Sequence, residues 1–441
     1  MIAVLVATSA AARTIESATT PELSAAASGE ITGRILVEPT GGGSFIGANA
    51  GFVRLYSAFA FLAGAVATAS LTSSGFFEIA SVPAGSYLVE IVSTDARALP
   101  VREWYNDARS IFNAETVTIT DGVPLMFGNI RLEERRIDTE RLSGTNRFGT
   151  AAAVSSRCAG DGADRNIVIV NGLNFPDALA ADPLASRTSA PILMVTQNSI
   201  PPETRAELER LNPLTITIVG GTGVVSSAVQ SQLEQLVADP TDVIRLAGEN
   251  RYDTSRALVR AMQADAPITE LFVATRLNFP DALAAVPVAG RVGGAVLLVD
   301  GSASSLDQES ATLINDLGVP VTLVGGPMVV SDGIRASIES LGLSVNRVAG
   351  SDRFSTAIAL AITYFPIADL AYVANGFGFA DALAVGSFGG NFGIPVYLSR
   401  GDCLPQAVVD DLIDGLFNRV ILAGGTGVLS SAVESLKPCA A

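Results

Sequence analysis

The chain writes nearly the same eleven residues three times: "RLSGTNRFGTA" from Arg141, "RLAGENRYDTS" from Arg245 and "RVAGSDRFSTA" from Arg347, at spacings of 104 and 102 residues. Two further echoes keep step with this motif. "NGLNFPDALAADPLA" places Asp177, "TRLNFPDALAAVPVA" places Asp281 and "NGFGFADALAVGSFG" places Asp381. "TIVGGTGVVSSAV" places Gly220 and Gly221, "TLVGGPMVVSDGI" places Gly325 and Gly326, and "ILAGGTGVLSSAV" places Gly424 and Gly425. The second arginine of each opening motif (Arg147, Arg251, Arg353) precedes its aspartate by 30, 30 and 28 residues, and each aspartate precedes its double glycine by 43, 44 and 43. Self-similarity at a fixed period means one structural unit used three times.

Within a unit, aliphatic runs alternate with helical patterns. In the first, "IDTERLSG", "NIVIVNG", "APILMVTQ" and "TITIVGG" read as strands, and helices begin near "RFGTAAAVSSR", "PDALAADPLA", "PPETRAELERL" and "VSSAVQSQLEQL". Continuous apolar strands joined through helices imply a parallel sheet covered on both faces, with right-handed crossovers. Pro176 and Pro280 suit a first helical turn, and Asp177 and Asp281 beside them favour the helix dipole. Ser227 with Gln230, and Ser431 with Glu434, fit a capping box. The third unit departs from the pattern at Gly378 and Ala380, the second at Pro327.

All three motifs follow a strand and precede a helix, so they emerge at the carboxyl edge of the sheet, where open α/β sheets bind ligands. The expectation is that Arg147, Asp177 and Gly220 meet, as do Arg251, Asp281 and Gly325, and Arg353, Asp381 and Gly424. The arginine–aspartate pairs suit either a loop-pinning ion pair or an anion site in which the carboxylate holds the guanidinium. The double glycines suit a tight turn or an anion site made of backbone N–H groups. "VGGTGVVSS" is neither a dinucleotide fingerprint nor a P-loop. Phe148, Tyr252 and Phe354 read as core residues, with sugar stacking as the alternative.

Upstream, residues 29–134 carry short runs with partial alternation, among them "GEITGRILVE", "GFVRLYS" and "GFFEIASVPAGSYLVEI", punctuated by turn residues. That pattern indicates an all-β sandwich. Residues 1–28, opening "MIAVLVATSAAARTIESA", read as a signal-peptide remnant and linker. No other stretch reads as a membrane span.

Composition removes several classes of function. The formal net charge is −16, which disfavours nucleic acid as a partner. There is no histidine, so the usual zinc ligand, the Ser-His-Asp triad and the Cys-His dyad are all missing. Lysine occurs once, at Lys437, so nearly every cation is an arginine. Guanidinium groups suit phosphate and carboxylate ligands, although compositional bias accounts for the same usage. Of three cysteines, Cys403 and Cys439 bracket the last αβα stretch and are a possible disulfide, which leaves Cys158 as a buried thiol. Neither a metal nor a cofactor is expected, and the sequence does not set the oligomeric state.

The three motifs, in order and in three copies, resemble the cell wall-binding repeat type 2 (CWB2) family. The resemblance implies three tandem Rossmann-like α/β units (137–238, 241–342 and 343–441) arranged around a pseudo-threefold axis. It implies a secreted surface protein held non-covalently on an anionic secondary cell-wall polymer. Carried over by motif, the polymer-binding positions are Arg147, Arg251, Arg353, Asp177, Asp281 and Asp381, and the third unit's departures bear on its site. Residues 29–134 resemble the carboxypeptidase-regulatory-like, prealbumin-like sandwich of other surface proteins. The expected function is non-catalytic anchoring. The competing readings are a wall hydrolase such as an amidase, which the missing histidines disfavour, and a nucleotide or sugar-phosphate binding module.

Overall fold

A computed structural model describes residues 28–440 other than 38–43, 59–63, 95–100, 107, 109–113, 133–136, 161–165, 276–278 and 416. Of the leader and linker read over residues 1–28, all but Ser28, which begins the first strand, lies outside the described residues. The N-terminal region is β-rich, with strands β1 (Ser28–Val37), β2 (Ile46–Gly47), β3 (Gly51–Ser57), β4 (Ala67–Ser70), β5 (Phe76–Pro83), β6 (Gly85–Ser93), β7 (Val101–Trp104), β8 (Thr116–Ile119) and β9 (Leu125–Leu132). β1 pairs with β2 and β5 antiparallel and with β9 parallel, while β4, β3, β6, β7 and β8 make a second, antiparallel sheet. Alternation sends one face of each strand inward. In β5, Phe77, Ile79 and Val82 are buried, and with Ile35, Leu55 and Ile91 from both sheets they belong to one core.

The β-rich region is joined to the α/β units by more than its covalent link. Tyr56, Leu88 and Trp104 form a second cluster against Ile367 of the third unit. Arg102, buried, pairs with the fully buried Glu90 at 2.9 Å and donates to the carbonyl of Ala368 at 3.0 Å.

The first unit runs β10 (Asp138–Leu142), α1 (Arg147–Cys158), β11 (Asn166–Asn171), α2 (Phe175–Leu179), α3 (Asp182–Arg187), β12 (Ile192–Val195), α4 (Pro202–Leu211), β13 (Thr215–Val219) and α5 (Ser227–Leu233). The second runs β14 (Val243–Leu246), α6 (Arg251–Asp265), β15 (Leu271–Thr275), α7 (Phe279–Val292), β16 (Ala295–Val299), α8 (Gln308–Leu317), β17 (Val321–Val324) and α9 (Asp332–Glu339). The third runs β18 (Val345–Val348), α10 (Arg353–Tyr364), β19 (Leu370–Asn375), α11 (Ala380–Phe392), β20 (Val396–Ser399), α12 (Gln406–Asp414), β21 (Arg419–Ala423) and α13 (Ser431–Glu434).

Each sheet is parallel, but none is built from a single unit. The orders are β12-β11-β13-β14, β16-β15-β17-β18 and β20-β19-β21-β10. Each opening strand thus completes the sheet of the preceding unit. β10, the first of them, completes the last sheet, in a register from Asp138↔Arg419 to Leu142↔Ala423. The expectation that "IDTERLSG" belongs to the first sheet is corrected accordingly. A tandem repeat reads the same whether the shared strand is assigned to the unit before it or after it, and only pairing decides.

α7 and α11, which carry Asp281 and Asp381, gather with α3, which follows the Asp177-bearing α2, and the three pack on one another. The approach is close enough to require glycine. A Cβ on Gly390 would lie 2.9 Å from the Cα of Gly290 and 2.6 Å from the Ser186 hydroxyl. In the first unit the helix read from "PDALAADPLA" is broken between α2 and α3, just before Pro183, which cannot donate to the preceding turn. Caps fall one residue earlier than read. Ser226, not Ser227, caps α5, and Ser430 stands before α13 without a side-chain cap bond.

Cys403 and Cys439 are disulfide-bonded, whereas Cys158 is half-buried with its Sγ 3.7 Å from the Tyr372 hydroxyl. Among the described residues, no helix is long and apolar enough to cross a membrane.

Candidate functional site

The residue before each second arginine caps the following helix. The Asn146 side chain accepts from the N–H groups of Phe148 and Gly149, Asn250 from Tyr252 and Asp253, and Asp352 from Ser355. Arg147, Arg251 and Arg353 are therefore first residues of α1, α6 and α10, fixed at the carboxyl edges of the sheets. Arg147 donates to the carbonyl of Gly172 and Arg353 to that of Gly376, both at 2.7 Å, each in the loop that leads to its own unit's aspartate.

The aspartate that faces each arginine belongs to the preceding unit. Arg251 acts on Asp177, Arg353 on Asp281, and Arg147 on Asp381. This corrects the expected grouping of Arg147 with Asp177, Arg251 with Asp281 and Arg353 with Asp381. The cause is the strand exchange: each opening strand ends at the edge of the preceding unit's sheet, so the helix after it starts there, although its body packs on its own unit, α1 on β12, α6 on β16 and α10 on β20. The aspartate–glycine pairing within a unit is observed. A Cβ on Gly220 would lie 3.0 Å from Asp177 Oδ2, and one on Gly325 or Gly424 would lie 2.8 Å from Oδ2 of Asp281 or Asp381. With φ of +104°, +102° and +122°, these turns need glycine for conformation as well as for space.

A buried threonine completes each seam. The hydroxyl oxygens of Thr150, Thr254 and Thr356 accept from the N–H groups of Gly144, Gly248 and Gly350. Those hydroxyls pull the carboxyls of Asp381, Asp177 and Asp281 downward, and that of Thr356 donates to the Asp352 carbonyl at 3.0 Å. Burial raises all three aspartates above the usual carboxylate range, Asp381 to about 6, against the pull of threonine and arginine. Oδ1 of Asp177 and of Asp281 is buried with no hydrogen-bond partner.

The first arginines of the motif went unassigned in the sequence, although their presence in all three copies was a signal. Arg141, Arg245 and Arg347 donate to the carbonyls of Gly424, Gly220 and Gly325, each at 2.7 Å, and so lock each opening strand to the preceding unit's turn. The N–H groups of those glycines bond Leu142, Leu246 and Val348 on the incoming strands, so they are not offered to an anion. Gly221, Gly326 and Gly425 accept from the following valines or leucine and close the turn. Of the motif aromatics, Phe354 is buried and Phe148 and Tyr252 are half-buried.

What remains in each seam is one guanidinium held between a carbonyl or carboxylate and solvent. Arg147 is exposed, and Arg251 and Arg353 are half-buried. Such a fork suits an oxyanion. A separate hollow of about 730 Å³ at the start of α6 and α8 offers less, because its Arg256 is already tied to Asp253, Asp307 and Glu309.

Comparison with known proteins agrees with the repeat. Over 297 residues the chain is 28% identical to the N-acetylmuramoyl-L-alanine amidase LytC and 27% identical to the amidase enhancer, both of Bacillus subtilis (strain 168). These matches cover 67% of this chain but only 57% and 40% of the relatives' own lengths. Cwp6 from Clostridium difficile shares the fold at a TM-score of 0.62 and 22% identity, over 88% of this chain and 63% of its own. Cwp8 from the same organism does so at 0.61 and 24%, over 80% and 58%. The profile of cell wall binding domain 2 (CWB2) matches residues 141–230, 245–335 and 347–434, the same stretches whose arginines, aspartates and double glycines build the seams. By these three matches, which span more than half of its length, the chain belongs to the cell wall binding domain 2 family.

Proposed function

We propose that this is a secreted, non-catalytic cell wall-binding protein that holds an anionic secondary wall polymer in the seams between its three units. The observation that carries the reading is the threefold recurrence of one juxtaposition: an arginine of one unit against an aspartate of its neighbour at a sheet edge, buried at Asp281 and half-buried at Asp177 and Asp381. The closure of the last sheet by β10 and the packing of α3, α7 and α11 support a pseudo-threefold ring. In that ring, units 137–238, 241–342 and 343–441 each lend a strand to the one before. Arg147, Arg251 and Arg353 contact the polymer, and Asp177, Asp281 and Asp381 orient them. The β-rich region, prealbumin-like in topology, is displayed on the third unit. The absence of histidine from the sequence favours anchoring over amidase chemistry.

A chain of net charge −16 meets an anionic polymer through local arginines, because distant charges are screened over about 8–10 Å at physiological salt. The test is sedimentation with intact walls and with walls stripped of secondary polymer. Binding is expected to vanish on stripping and to weaken with salt, and undiminished binding to stripped walls overturns the reading.

A further inference from the structure

The three seams differ, and two departures from the repeat fall on one of them. Arg353 of the third unit faces Asp281 of the second, whose turn is built on Gly325. In that turn the sequence has Pro327-Met328 where the other units have Thr-Gly, and Met328 is 97% exposed. In the loop after β19, Phe377 stands where the first and second units have Leu173 and Leu277. Phe377 is 61% exposed yet firmly held. Its N–H bonds the Asn375 side chain at 2.8 Å, and that side chain also donates to the Val428 carbonyl at 2.8 Å. The Arg353 guanidinium lies 4.8 Å from the ring centroid, and the Phe354 ring meets it edge-on at 6.1 Å.

We infer that the seam between the second and third units recognises a sugar ring of the bound polymer by stacking on Phe377, beside the anionic group held by Arg353. The inference rests on the wall-polymer reading and adds a specificity element to it. The C–H face of a pyranose is apolar with positive edges, and the face of an aromatic ring is negative, so the two attract beyond simple area burial. A ring already fixed by its backbone and by a cation loses little freedom when a ligand arrives. An aliphatic side chain at the same place offers area without the quadrupole. The third unit, whose Gly378 and Ala380 depart from the motif, thus carries the most elaborate seam.

The experiment is quantitative sedimentation with intact and polymer-stripped walls, using wild type, Phe377→Leu, Phe377→Tyr and the matched Leu173→Ala. Phe377→Leu is expected to weaken binding to intact walls about three- to tenfold. Phe377→Tyr and Leu173→Ala are expected to bind as wild type does, and all four to melt alike. Equal binding by wild type and Phe377→Leu overturns the inference while leaving the polymer reading intact. A loss in Phe377→Tyr or Leu173→Ala as large as in Phe377→Leu also overturns it, since ring stacking would then not be the cause. Wild-type binding that survives stripping overturns the polymer reading first and the inference with it.

Discussion

Asp182 sits where the three central helices meet, fully buried, with both carboxyl oxygens lacking a hydrogen-bond partner. Its Oδ2 lies 2.6 Å from where a Cβ on Gly386 would be, and Val286 lines the same spot. By alignment of "PDALAADP", "PDALAAVP" and "ADALAVGS", these are equivalent positions of the three units. Replacing Asp182 with valine therefore installs the residue the second unit already uses. A buried polar group without a partner costs about 1–3 kcal/mol in mutational series, and the variant regains that amount. At about 2.1 cal/mol/K of unfolding entropy per residue, each kcal/mol moves the melting temperature of a structure of this size by about 1–2 °C. Burial pushes the Asp182 carboxyl well above its ordinary 3.8, and only the nearby backbone of Ser387 offsets this. A raised folded pKa means that the group is tolerated below 3.8 and that stability falls as pH rises through its folded value. The advantage of Asp182→Val thus widens from about pH 4 to about pH 8 in thermal unfolding followed by circular dichroism. A variant that melts below wild type at both pH values refutes the reasoning.

Three further outcomes are expected. Asp381, raised from 3.8 to about 6, makes stability fall between those values as pH rises, by about 3 kcal/mol, and Asp381→Asn flattens that window in denaturant titrations. An unchanged slope would contradict the assignment. Gly325→Ala, with φ of +102° and its Cβ 2.8 Å from Asp281 Oδ2, loses about 1–3 kcal/mol, whereas Gly326→Ala, with nothing within 4 Å, stays within about 0.5 kcal/mol. The Cys403–Cys439 bond closes a 36-residue separation, so its removal costs up to about 4 kcal/mol, read as a fall in melting temperature on reduction.

The repeat, its parallel sheets and the aspartate–glycine contact were legible because each stays within one unit: strand, turn and helix are local, and the parallel strands β11 and β13, with their counterparts, bring the loops after them to one sheet edge. The partner of Arg147 was not. Its spacing to Asp177 matches that of the other copies, and nothing in a linear sequence shows that β10 pairs with β21, far along the chain. The aspartate at 182 was visible as a departure from Val286 and Gly386, but its burial depends on three helices converging. Nothing in the repeat singled out Phe377, and only its exposure and its arginine neighbour give it a setting. Arg102 carries no motif, and its role at the junction with the third unit comes only from packing.

The most direct measurement is wall affinity for the three seam arginines removed singly and together. Arg147→Ala, Arg251→Ala and Arg353→Ala are each expected to weaken binding to intact walls. The triple variant, still folded, should lose more than any single one, because linked sites act through avidity. A triple variant that binds intact walls as tightly as wild type would place the polymer elsewhere and contradict the account.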